Sequence, residues 1–168
     1  MEKIMWLILG GTTFVAAVRA HQSRRALNVG RWALGVLFIV FGAAVNAVYL
    51  TFGNDYYADF ADASPFPFVR DTWESLVLPN QGFFITLLIV FEATAGLLVL
   101  LGGRWTQIGL LALIGFHVGQ LAFGGVLWPW AAVMLVALVL LLRAERHPPG
   151  APGTPYRRDA EHRTGVAG

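Results

Sequence analysis

The chain has no cysteine and little charge. With no thiol among its 168 residues, it has no disulfide, CxxC redox centre, thiolate zinc site or cysteine-ligated iron–sulfur cluster. Any redox role therefore rests on a bound group or on a partner. Asp, Glu, Lys and Arg together make up 13% of the residues, about half of the roughly 25% usual in soluble domains. That shortage excludes an ordinary soluble globule, and the 57% apolar content excludes a disordered chain. Of the four histidines only His117 falls in an apolar run, so a bis-histidine haem within one chain is excluded. Glu92 and His117 alone lack the ligands for a metal site, and no phosphate loop, HExxH or GxSxG pattern is present. No ring of charges or filter-like segment marks a channel. A net charge of +2, with arginines beside hydrophobic segments, speaks against nucleic acid as a partner.

What remains belongs in a lipid bilayer. The mean hydropathy is +0.62, and five apolar runs, about 4–20, 31–52, 82–102, 105–123 and 126–142, are bounded by charge, glycine or proline. Each approaches the roughly 20 residues a transmembrane helix requires. The pattern predicts an all-α, polytopic transmembrane bundle of five helices over residues 1–143, with a long outer loop at 53–81. Residues 144–168, with Pro148, Pro149, Pro152 and Pro155 and no apolar periodicity, read as a disordered cytoplasmic tail.

Charge sets the expected orientation. Arg19, Arg24, Arg25 and Arg31 make the first linker basic, whereas the 53–81 loop carries Asp55, Asp59, Asp62, Asp71 and Glu74 against Arg70 alone. The positive-inside rule then puts the N-terminus outside a multi-pass plasma-membrane protein and the C-terminus in the cytoplasm. Trp6, Trp128 and Trp130 fall at the outer interface and Trp32 and Trp105 at the inner one, as aromatic belts require. A cleaved signal peptide ending at Val18-Arg19-Ala20 is the rival reading of the first run; it reverses the charge bias, which favours a retained helix.

The 53–81 loop interleaves acids with Tyr56, Tyr57, Phe60, Phe66, Phe68 and Trp73. One or two short helices lying on the outer membrane surface suit that pattern, either as a belt sealing the bundle or as a lid over a site.

Within the spans, the residues expensive to leave in lipid are Asn46, Glu92, His117 and Gln120. A carboxylate at a helix centre costs about 2.5–3.5 kcal/mol on insertion scales, so Glu92 must face the bundle, be protonated or hold a partner. At 1.5 Å rise per residue, Glu92 and His117 come within about 3 Å of each other in height near the midplane. Asn46 and Gln120 come out about 22 Å above the inner face, and Tyr49 higher still. His117 and Gln120 share a helix face, and Gly115 and Gly119 form a GxxxG that admits another helix nearby. Glu92 and His117 are the candidate catalytic residues, and Asn46, Tyr49 and Gln120 the candidate substrate-binding residues. Such a pair passes protons or hydrogen-bonds a quinone carbonyl or small polar substrate. The alternative is interhelical hydrogen-bond glue at about 0.6 kcal/mol per contact.

From Gly30 and Arg31 through Gly35 to Gly42, and again from Glu92 through Gly96 to Gly102, the sequence resembles the DoxX-like family of small membrane proteins. The resemblance covers about residues 30–142, and it implies a four-helix core to which this chain adds an N-terminal helix. It marks Arg31, Gly42, Glu92, Gly96 and Gly102. It further implies a redox-linked role: a quinone-associated subunit of a membrane oxidoreductase, or a membrane partner of a redox enzyme. The added helix and the long acidic aromatic loop depart from a minimal member and leave the substrate open. Three functions follow as expectations: a quinone- or redox-associated subunit, a non-catalytic scaffold that anchors a partner enzyme or self-associates, and a small-solute transporter.

Overall fold

The computed structural model describes residues 2–53 and 56–149 and is all-α, with no strand among them. Five helices follow in order: α1, Glu2–Arg19; α2, Arg24–Phe52; α3, Pro67–Leu101; α4, Gly103–Gln120; and α5, Leu127–Arg146. Three of them, α2, α3 and α5, are long and apolar enough to cross a membrane. Each helix also presents a large apolar side chain that is more than half exposed: Leu7, Val48, Leu87, Val118 and Val136. Such a surface is unfavourable in water and favourable against lipid, an arrangement compatible with an integral membrane protein.

Helix boundaries differ from the apolar runs for local reasons. Helix α2 starts at Arg24, before its apolar stretch, because the Ser23 side chain accepts a hydrogen bond from the Ala26 N–H at 3.3 Å and caps the first turn. Leu27 and Gly30 are then buried. Helix α3 starts at Pro67, whose fixed φ and missing N–H suit a first turn. Residues 67–80, expected as separate surface helices, instead continue into the span through a π-helical segment at Trp73–Val77 and a 3₁₀ turn at Leu78–Asn80. Pro79 lies in that turn and has no N–H for the regular i to i−4 ladder. Helix α5 runs to Arg146, so residues 144–146 belong to the bundle and not to the tail. Residues 150–168 of the expected tail lie outside the described residues.

Contacts fix the directions of the helices. Arg31 of α2 reaches Val99 and Leu100 of α3, while Asn46 reaches Glu92, so α2 and α3 are antiparallel. Gly10 of α1 lies against Trp130 of α5, and Ala16 and Leu141 converge on Gly30, so α1 and α5 run parallel. Helix α4 packs between α3 and α5, and α2 packs on α1, α3 and α5. The molecule thus has an Arg31 end and a Trp130 end. Trp6 stacks on Trp130 with ring centroids 3.4 Å apart, which places both at the same end.

Small residues bring the helices together, as van der Waals packing in lipid requires. A Cβ at Gly96 would lie 3.1 Å from the Gly35 carbonyl, and one at Gly109 would lie 2.9 Å from the Val99 nitrogen. At the Arg31 end the Arg31 guanidinium donates to the Val99 and Leu100 carbonyls at 3.1 and 3.2 Å. These are among the last carbonyls of α3, which have no partner within the helix. Arg31 also lies 3.9 Å from Glu145, whose other oxygen accepts from the Gly103 N–H at 3.1 Å. Gly102 joins α3 to α4 at φ +94°, a left-handed conformation that favours glycine.

Candidate functional site

Glu92 faces the interior of the bundle and is only 5% exposed. A carboxylate there requires partners and room, and α2 supplies both. Asn46 Nδ2 donates to Glu92 Oε2 at 2.8 Å. One turn earlier Gly42 leaves the space, because a Cβ there would sit 2.8 Å from the carboxyl carbon. Gly42 lies in a π-helical segment, Leu37–Ala44, a local widening often found at functional sites.

The polar line continues out of the bundle. Tyr57 Oη donates to Asn46 Oδ1 at 2.8 Å, and the Tyr57 carbonyl accepts from Trp73 Nε1 at 2.9 Å. Tyr57 is 3% exposed. Burial, and then the neighbouring Tyr56, Glu92 and Tyr49, push its phenol up to about 12, so it stays a donor at neutral pH. Asn46 thus links Glu92 to Tyr57 among the described residues, donating through nitrogen and accepting through oxygen.

The segment that carries Tyr57 is anchored at several points. Ser64 Oγ donates to the Ala122 carbonyl at 2.6 Å, and an Arg70 N–H donates to the Ser64 carbonyl. Phe60, Trp73 and Phe123 pack with ring centroids 5.2–5.5 Å apart, the range of favourable aromatic pairs. This cluster closes the Trp130 end of the bundle beside the polar line. Of the two readings of the loop, the geometry matches a seal packed on the α4–α5 turn.

His117 is fully buried on α4, next to α3, but it does not join Glu92. Its Nδ1 lies 2.8 Å from the Leu113 carbonyl. A carbonyl only accepts, so Nδ1 carries the proton and Nε2 is left as an acceptor. The ring packs on Phe38 and Phe116 at 5.8 and 5.5 Å. The one ion pair among the described residues is Arg31–Glu145, so no nitrogen of His117 comes within 4.0 Å of Glu92 oxygens. Their neighbours Phe91 and Phe116 are in ring contact at 5.5 Å, so the two residues lie on facing helices without bonding to each other.

The remaining candidates divide. Asn46 joins Glu92 directly. Tyr49 stacks on Tyr56 at 3.7 Å, beside Tyr57. Gln120 is one turn beyond His117, and its Oε1 is buried without a hydrogen-bond partner among the described residues. Gly115 and Gly119, expected to receive a helix near His117, are exposed with nothing within 4 Å of an added Cβ, so none of the described helices rests on them. Tyr57 and Trp73 were not singled out as site residues by sequence, although both were visible among the loop aromatics.

Among the described residues no group of three or more His, Asp or Glu side chains is arranged to hold a metal ion. The family models, curated proteins and solved structures compared with this chain yield no match.

Proposed function

We propose that the chain is a DoxX-like membrane subunit associated with redox chemistry, in which Glu92 exchanges protons in the middle of the bundle and Asn46 and Tyr57 hold its carboxyl in place. The observation that supports this reading is the hydrogen-bonded line from the Tyr57 phenol through Asn46 to a buried carboxyl, with Trp73 anchoring the Tyr57 backbone. Ionisable residues at such positions mark proton relays and ligand sites more often than packing.

A quinone is the ligand class we assign to it. Quinone reduction takes up two protons with two electrons, and the electrons come from a partner oxidoreductase. His117 Nε2 and Gln120 Oε1 share a face of α4 and both accept hydrogen bonds, which suits the hydroxyls of the reduced headgroup. Glu92 exchanges a proton with the headgroup oxygen, while Asn46, itself held by Tyr57, orients the carboxyl from its other side. The charge pattern of the sequence further places the N-terminus outside and the C-terminus in the cytoplasm.

Purification in mild detergent, followed by lipid extraction and quantitation of quinones, tests the reading. The native chain retains quinone and Glu92→Gln retains about tenfold less, the scale of one hydrogen bond to a charged group. No quinone on the native chain, together with no change in Glu92→Gln, overturns the assignment.

A scaffold role is the second reading, favoured by the exposed Gly115 and Gly119 on α4. Crosslinking in native membranes separates the two. A stable partner that survives Glu92→Ala supports the scaffold.

A further inference from the structure

The α1–α2 hairpin carries a groove on its exposed side that the Glu92 line does not use. Two adjoining cavities of about 720 and 670 Å³ share Arg25 and Val29. The first extends past Trp32 to Leu9 and Val36, and the second past Val15 to Gly11 and Arg19. From Arg25 to Val36 the groove follows α2 for roughly 16 Å at 1.5 Å per residue. That is close to half of a hydrocarbon core about 30 Å thick, the reach of one leaflet.

Its two ends differ in chemistry. Along its length the walls are apolar, with Val15, Val29 and Trp32 at 56%, 43% and 62% exposure, and Gly11 has open space where a side chain would stand. At the turn between the helices stand Arg19, in the last turn of α1, and Arg25, in the first turn of α2. Neither meets a carboxylate among the described residues. The first turn of α2 contains no acidic residue, although a helix N-terminus favours anions and disfavours the arginines placed there. An anion between Arg19 and Arg25 satisfies both guanidinium groups and the helix terminus.

We infer that this groove binds an anionic phospholipid, with an acyl chain along Val29 and Val36 and the phosphate between Arg19 and Arg25. Charge at one end and an apolar channel one leaflet long are the two features such a molecule combines. Arginine remains charged at the membrane surface and pairs with phosphate through two N–H groups. The site lies on the α1–α2 hairpin and is independent of Glu92.

Native mass spectrometry of the full chain in mild detergent, titrated with phosphatidylglycerol or with phosphatidylcholine of the same acyl chains, tests the inference. Phosphatidylglycerol is retained preferentially, and Arg19→Gln and Arg25→Gln each weaken that preference about fivefold, the scale of one basic residue at an anionic surface. Gly11→Leu, which fills the groove without changing charge, lowers retention of both lipids. Glu92→Gln leaves the preference intact, so failure of the quinone site and failure of this one are separable. Glycerol phosphate, which has the anion without the chains, does not displace the lipid. Equal retention of the two lipids by the native chain, an unchanged preference in both arginine variants, or displacement by glycerol phosphate overturns the inference. Arg19 and Arg25 are exposed, so their variants keep the fold, which circular dichroism verifies.

Discussion

Asn46→Leu isolates the link that joins the buried carboxyl to the aromatic segment. The substitution removes the 2.8 Å bond to Glu92 and the 2.8 Å bond to Tyr57, while the 3.3 Å contact of Tyr57 with the Asn46 carbonyl can persist. Interhelical side-chain bonds in membranes average about 0.6 kcal/mol and reach about 1.7, so two of them amount to about 1–3 kcal/mol. For a chain of this length that lowers the melting temperature by about 3–10 °C. Part of the loss comes from the Glu92 oxygen left without a donor, so Asn46→Leu combined with Glu92→Leu must destabilise less than the two single changes summed. Thermal unfolding in one detergent, followed by circular dichroism for the four members of the cycle, measures the coupling. Additive effects within about 0.3 kcal/mol, the behaviour of independent sites, would falsify the linked line.

Other outcomes follow from the same geometry. Gly109→Ala puts a Cβ 2.9 Å from the Val99 nitrogen and destabilises by about 1–3 kcal/mol, whereas Gly115→Ala meets open space and is neutral or stabilising by up to about 1 kcal/mol; equal melting shifts refute the close approach of α3 and α4. Arg31→Met leaves the Leu100 carbonyl without its side-chain donor and the Val99 carbonyl with Thr106 alone, and lowers stability by about 1–3 kcal/mol, which chemical denaturation in detergent detects; an unchanged midpoint excludes the capping role. The Tyr57 phenol, raised to about 12 from 10, is neutral in folded and unfolded chains below pH 10. Above it the unfolded chain gives up the proton first, so stability is full below pH 10 and falls as pH rises towards about 12. Tyr57→Phe flattens that part of the pH–melting profile, and an identical slope in both proteins rejects the assignment.

Five helices are legible in the sequence because five apolar runs stand between polar breaks, and lipid tolerates nothing else of that length. Their ends are less legible. Hydropathy does not register the Ser23 cap that starts α2 among arginines, nor the start of α3 at Pro67. Glu92 and Asn46 stand out because polar side chains in apolar runs are rare, and the structure brings them together. Height along a helix was a weaker guide for His117: its side-chain rotamer turns Nδ1 back to the Leu113 carbonyl of its own helix, which no depth calculation reports. The GxxxG spacing places Gly115 and Gly119 on one face without saying which way that face turns. Tyr57 was hidden for another reason, since loop aromatics carry no periodicity from which its hydrogen bond to Asn46 could be read.

Glu145 gives the bundle an order of completion. The turn between α3 and α4 has backbone groups to satisfy, and one of their side-chain partners, the Glu145 carboxylate on Gly103, sits in the last turn of α5. During synthesis the first four helices are therefore made while that N–H still lacks its acceptor and Arg31 its counter-charge. The final turn of α5 acts as a latch, and a chain that stops short of Glu145 presents an unfinished polar corner for membrane quality control to recognise.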